Sequence, residues 1–378
     1  MKRITAFIFA FGMVLNFIMP ASADFAYTTE NGTLGIFTVT SLSSTSIDVT
    51  MSDTYEGYSE DLFVSGFYNT SNPGLIVIEK NQGSSVSGDY AYIYNGTDFV
   101  TPVYEGYLAG VRGANAVASA NNGRSIFIAS ENNASIAEFD LTSLSDMPRH
   151  YYTYPYESFD IQALVLNGYY LYALFTNPES EDQKSKIKQF DGQLLEKTSY
   201  LSADVDHYAN DIVIASNAGV FIGTDSGFEL FRYNKSTSIV SDDSFGSVKS
   251  MCSDESNGFY FVSSMLSGDQ IFRYKNSGEV VWLHSTPDNG AYQKILYDND
   301  KKILAAVMGG RVVFLNVNND TPSLIASYTS SSFDGAVTGI AKIFTSGASD
   351  QRSSSGCDFM SLGFLTGALI IALSLKKR

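Results

Sequence analysis

Short apolar runs alternate with polar turns along this chain, and the alternation itself repeats. Residues Ser125 to Ser145 read as an apolar strand, a polar turn, a second apolar strand and a Thr-Ser-Leu-Ser ending. The stretch from Phe25 to Ser44 is a near-copy. Weaker copies are marked by an apolar residue, usually aromatic, beside turn residues: Phe37, Tyr94-Asn95-Gly96, Phe139-Asp140, Phe190-Asp191-Gly192, Tyr233-Asn234, Tyr274-Lys275-Asn276 and Val317-Asn318-Asn319. After a longer first interval they return about every 40 to 50 residues, the spacing of four-stranded propeller blades.

Each marker closes a hairpin whose first strand is predicted at 25–29, 74–80, 125–130, 170–175, 219–224, 259–264 and 302–308. An inner strand is predicted before it at 62–68, 115–120, 161–166, 211–216, 248–253 and 293–298. Outer strands are predicted at 99–104, 150–154, 194–200, 279–284 and 323–328. Asn122-Gly123, Asn167-Gly168 and Asn257-Gly258 fall between the inner strand and the one after it (the first and second strands of a blade), where a tight hairpin wants residues tolerant of positive φ. The first unit lacks an inner strand, and one apolar segment, 337–343, is left over at the far end. Joined, the two ends complete a seventh blade and remove the exposed sheet edge of an open stack. No segment outside the termini has a helical period, so the expected fold class is all-β: a seven-bladed β-propeller closed by N- and C-terminal strands sharing one blade.

Composition agrees with short strands and tight turns: 26 Phe, 24 Tyr and 31 Gly in 378 residues, with only 17% charged. The net charge is −16. The body is more acidic still, because the ends hold Lys2, Arg3, Arg352, Lys376, Lys377 and Arg378 against Asp350 and Asp358. Such a field disfavours nucleic acid and anionic lipid headgroups as partners. The 2 cysteines, Cys252 in an apolar strand and Cys357 in the tail, imply no disulfide framework.

The ends look like addresses. Met1-Lys2-Arg3, an apolar run to Met19, and Pro20-Ala21-Ser22-Ala23 form a signal-peptide pattern with cleavage after Ala23, an uncleaved anchor being the alternative. At the other end a polar spacer leads through Ser353-Ser354-Ser355 to Gly356-Cys357, an apolar run 359–375, and the basic Lys376-Lys377-Arg378. The expected domains are a signal peptide (1–23), the propeller (24–345), a Ser/Gly-rich spacer and sorting motif (346–357), and a transmembrane or sorting helix (358–378). This tail resembles the bacterial C-terminal sorting domains of the Synergist type. The resemblance implies a sorting protease beside signal peptidase as partners, with Gly356 and Cys357 at a processing or lipid-attachment position. A plain C-terminal membrane anchor remains the alternative. Either reading puts the body outside the cytoplasm, in the cell envelope or at the cell surface.

Over 25–344 the repeat pattern resembles the seven-bladed propellers of the broad YVTN and quinoprotein-like type, in spacing and not in signature residues. There is no Trp-Asp repeat ending and no YVTN run, and Trp282 is the single Trp. Propellers bind ligands at the channel mouth where inner strands begin. By position the candidates there are Arg112, Asn115, Asp160, Gln162, Asn210, Asp211, Lys249, Gln293 and Thr338. Such a ring suits a sugar, a peptide or a divalent cation such as calcium, or serves only to hydrate the channel. A metal-dependent hydrolase or lactonase is the enzyme alternative, and a lyase belongs with it. The lactonase needs a Glu with Asn and Asp ligands, and Asn115, Asn210 and Asp211 supply only part of that set. His150, His207 and His284 are scattered, and no nucleophile elbow is present. Gly309-Gly310 and Asp298-Asn299-Asp300 read as hairpin turns, and the tyrosines of 150–156 as cover for a blade flank. The expectation is a binding or scaffolding module for a protein, peptide or glycan, with no organic cofactor.

Overall fold

A computed structural model describes residues 23–343, apart from short internal segments of which the longest is 232–239. Ala23, the expected cleavage position, opens the first strand, while residues 1–22 of the expected signal peptide and the whole sorting tail, with Gly356 and Cys357, lie outside the described residues. Within them the chain forms 28 strands in seven four-stranded antiparallel sheets, and the single helix is a 3-10 turn, Ser330–Ser332. The fold is a seven-bladed propeller. Blade 1 is shared by the two ends of the propeller: the strand Val337–Lys342 pairs with Ala23–Thr29, Tyr27 opposite Ile340 and Thr28 opposite Gly339. The inner strands of blades 2 to 7 are Leu62–Phe67, Ala114–Ser119, Asp160–Asn167, Ala209–Ala215, Ser247–Ser253 and Lys294–Asp298. With Val337–Lys342 they neighbour one another in a closed ring around the axis.

The core explains why the second strands are unbroken apolar runs. It is divided into seven layers, one between each pair of adjacent blades. A second strand is covered on both faces: in Ser125–Ser130 all residues are buried, Phe127 and Ala129 packing toward blade 4, Ile126 and Ile128 toward blade 2. Both side-chain faces are therefore dry, and the polar alternation of a half-exposed strand disappears. Aromatic residues fill two layers in particular. Phe221, Phe228, Phe245, Phe259, Phe261, Phe272 and Tyr274 meet in edge-to-face, tilted and stacked pairs between blades 5 and 6. Phe25, Tyr27, Phe37, Phe314, Tyr328 and Phe333 do the same where blade 1 meets blade 7, so the closing interface is among the most aromatic.

Three of the repeat markers, those of blades 3, 4 and 7, turn out to lie at Asx turns. The side chains of Asp140, Asp191 and Asn316 accept the N–H groups of Thr142, Gln193 and Asn318 at 2.8, 2.9 and 3.0 Å. Asn257 has φ 71°, and Gly309-Gly310 joins Met308 to Arg311 with φ 54° and 67°, the two-residue hairpin expected. Asp298 accepts the N–H groups of Asp300 and Lys301 within a turn, as anticipated. Cys252 is a buried core residue. On the blade 3 flank Tyr151 is exposed while Tyr154 packs inward, which fits the covering role.

Two outer strands were misplaced. In blade 2 the outer strand is Tyr104–Leu108, beginning where the expected one ended, and in blade 4 it is Ser202–Val205 instead of 194–200. Outer strands touch the core on one face only, and here their residues alternate between covered and exposed. So short a period-2 signal is easily displaced by neighbouring apolar residues such as Leu194, which is buried in a turn with φ 57°.

Candidate functional site: the channel mouth

Five of the seven inner strands slip register by one residue near their start. The residues left without a cross-strand partner are Asn115, Gln162, Asn210, Lys249 and Thr338. A β-bulge of this kind bends the strand and redirects the inserted side chain. All five line one cavity of about 300 Å³ at the end of the channel where inner strands begin. Gln293 and Asp211 line it as well. Deeper positions on the inner strands, Leu164, Leu296 and Ala341, make its wall apolar further down.

Two of the expected mouth residues stand outside that lining. Arg112 is exposed ahead of its inner strand, its N–H donating to Ser130 Oγ at 3.0 Å. Asp160 opens the blade 4 inner strand before the bulge; burial, reinforced by Glu131 and Glu179, raises its pKa above the usual carboxylate range. Sequence position alone missed Lys80, Tyr292 and Lys294, which also line the cavity. Lys294 carried a signal: it is the one cation of its strand and opens it, as Lys249 is the one cation within its own.

Part of the ring fastens blades together. Asn210 Nδ2 donates to Val248 O at 2.9 Å, and Asn115 Nδ2 donates to Ile161 O, in each case the residue before the next blade's bulge. Asp211 is a hub: Oδ2 accepts from Ser250 Oγ and from the Met251 N–H, both at 2.9 Å, while Oδ1 accepts from the Ile212 N–H at 2.8 Å. Ser250 Oγ in turn accepts the Ile295 N–H at 3.3 Å, so one string of bonds runs through blades 5, 6 and 7. Gln293 Nε2 is occupied by Ser264 Oγ, Asp269 Oδ1 and Gly290 O at 2.7, 2.9 and 3.0 Å.

The charges in the lining are Lys80, Lys249, Lys294 and Asp211. Lys294 Nζ lies 3.7 Å from Asp211 Oδ2. Burial acts to lower the Lys294 pKa, but the Asp211 carboxylate, helped by Tyr292, outweighs it and leaves the ammonium above its ordinary value. Burial likewise raises the phenol of Tyr292. Lys80 pairs with Asp61 at 3.8 Å. Lys249 and Gln162 are half-buried and have no hydrogen-bond or ionic partner among the described residues. The Oδ1 of Asn115 is buried with no hydrogen-bond partner among the described residues.

A divalent cation does not suit this donor set. The one carboxylate of the lining is already hydrogen-bonded and paired with an ammonium, and two further lysines oppose a cation. Among the described residues no group of three or more His, Cys, Asp or Glu is placed to hold a metal ion.

No protein-family model matches the chain, and no curated protein matches it in sequence. Solved structures resemble it in shape. The periplasmic gluconolactonase of Pseudomonas aeruginosa superposes with a TM-score of 0.57 at 9% identity, covering 85% of this chain and 99% of that one. A putative 6-phosphogluconolactonase from Bacteroides uniformis gives 0.58 at 13%, covering 85% and 100%. A catalytically inactive virginiamycin B lyase from Staphylococcus aureus gives 0.51 at 11%, covering 77% and 94%. At such identities the likeness is one of fold alone: the chain shares their propeller architecture, and its chemistry rests on its own residues.

Proposed function

We propose that this protein is a binding propeller whose ligand enters the channel mouth. The observation that supports this most is the fivefold bulge, which sends one polar side chain per blade into a single cavity. A propeller needs no bulges to close, and blades 2 and 7 pair regularly at this level. Bulges that gather around a cavity are a way of aiming side chains. The terminal segments support export and retention at the cell envelope through the C-terminal tail, which makes the ligand an extracytoplasmic one. Binding is preferred to metal-dependent hydrolysis because Asp211, the natural ligand or base in the ring, serves to join blades.

Thermal-shift screening of the full chain with sugars, peptides and divalent metals tests this reading. A stabilising ligand whose effect is lost in Gln162→Ala supports the channel mouth as the site. A ligand unaffected by both Gln162→Ala and Thr338→Val overturns it. Protease shaving of intact cells tests the location, surface exposure being the expected result.

A further inference from the structure

The whole chain is acidic, with a net charge of −16, yet the cavity at its channel mouth is lined by three lysines and one aspartate. Two of the lysines are balanced, Lys294 by Asp211 at 3.7 Å and Lys80 by Asp61 at 3.8 Å. Lys249 is not. It is the residue inserted by the bulge of the blade 6 inner strand, it lines the cavity half-buried, and it has no ionic partner among the described residues. Desolvating an ammonium without a counter-charge is unfavourable, and low-dielectric walls focus its field into the cavity. Asp211, the acidic residue of the lining, already receives Ser250, Met251 N–H, Ile212 N–H and Lys294.

Resting on the channel-mouth reading above, the geometry points to a small anionic ligand, a carboxylate- or phosphate-bearing molecule of sugar size, whose charged group is held by Lys249. Gln162 supplies amide donors that have no competing partner among the described residues, and the hydroxyl of Thr338 adds another polar group to the wall. Tyr292, Phe63 and the deeper Leu164 and Leu296 offer apolar cover for the body of the ligand. A cavity of about 300 Å³ stands at the small end of ligand pockets, which excludes a folded partner and an extended glycan from its interior.

Calorimetric titration of the full chain with three probes of one shape tests this: glucose 6-phosphate, glucuronate and glucose. The expected result is that one or both anions bind at least tenfold more tightly than glucose. That preference should shrink severalfold between 50 and 300 mM NaCl and be lost in Lys249→Gln, while Lys275→Gln on an outer hairpin leaves it intact. Which anion binds better distinguishes phosphate from carboxylate recognition. Glucose binding as tightly as the anions, and lost in Gln162→Ala, overturns the anionic ligand and keeps the channel-mouth site. Anion binding unchanged in both Lys249→Gln and Gln162→Ala overturns both. No measurable binding of any probe by the wild-type chain overturns the anionic inference, and its selectivity arm needs no variant to fold.

Discussion

Lys294 Nζ lies 3.7 Å from Asp211 Oδ2 although a whole blade separates their strands. The same carboxylate oxygen accepts two hydrogen bonds from that intervening blade, through Ser250 and Met251. Asp211 thus joins three blades around the channel, and the ion pair is only one of its bonds. Asp211→Ala, which strands buried donors, is expected to cost about 3 kcal/mol, whereas Lys294→Met costs about 1. Urea unfolding midpoints check the order; the reverse order would show that the ion pair dominates.

Ring closure depends on residues 337–342 finding residues 23–29. Ile340 is 3% exposed in the layer between blades 1 and 7, so Ile340→Lys is expected to destabilise by about 3 kcal/mol. Truncation after Gly335 removes the closing strand and leaves Phe25 and Tyr27 partly uncovered. Guanidinium unfolding should then become broader and begin earlier. An unchanged transition would mean that the other six blades carry the stability without closure.

Gly35 faces Tyr27 across the first hairpin, and the tyrosine ring lies over its bare Cα. A methyl group there collides with the ring, so Gly35→Ala should cost about 1–3 kcal/mol. In a Tyr27→Ala background the same change should be close to neutral. A double-mutant cycle measures the coupling, and additive costs would place the strain elsewhere.

Asp140 titrates below the usual carboxylate range, chiefly because the Thr142 hydroxyl donates to it at 2.6 Å, with the Thr142 N–H adding at 2.8 Å. A depressed folded-state pKa contributes stability above the unfolded pKa and loses it as pH falls through the folded value. Acid should therefore loosen this turn. Thr142→Val is expected to move the Asp140 pKa upward toward the ordinary range, readable by carboxyl NMR titration. No movement would assign the shift to Arg149, 4.0 Å away, instead.

Trp282, the single Trp, is 55% exposed on the outer strand Val280–Ser285. Its emission should be close to that of an unfolded chain and be quenched readily by acrylamide. Ligands at the channel mouth should leave it unchanged; a large spectral response would place a binding surface on the blade 6 flank.

The strands buried on both faces were legible to within one or two residues, 125–130 and 219–224 to the residue, because a doubly covered strand leaves an apolar run with turn chemistry at its ends. Blade number and circular closure followed from counting such units, since one missing inner strand and one surplus strand can only complete each other. The outer strands of blades 2 and 4 were displaced, as half-exposed strands carry a weak pattern.

At the channel mouth the sequence could name Asn115, Gln162, Asn210, Asp211, Lys249, Gln293 and Thr338, because position within the repeat is a local property. It could not separate them from Arg112 and Asp160, nor find Lys294 and Tyr292 beside them. Whether a residue at a strand's start enters the channel depends on a one-residue slip of register against its neighbour. Whether Lys294 is neutralised depends on Asp211, a carboxylate two blades away. Both are set by long-range pairing, which local patterns do not encode, and so the repeat determined the ring while only the closed tertiary structure decided that Lys249 faces it with no counter-charge among the described residues.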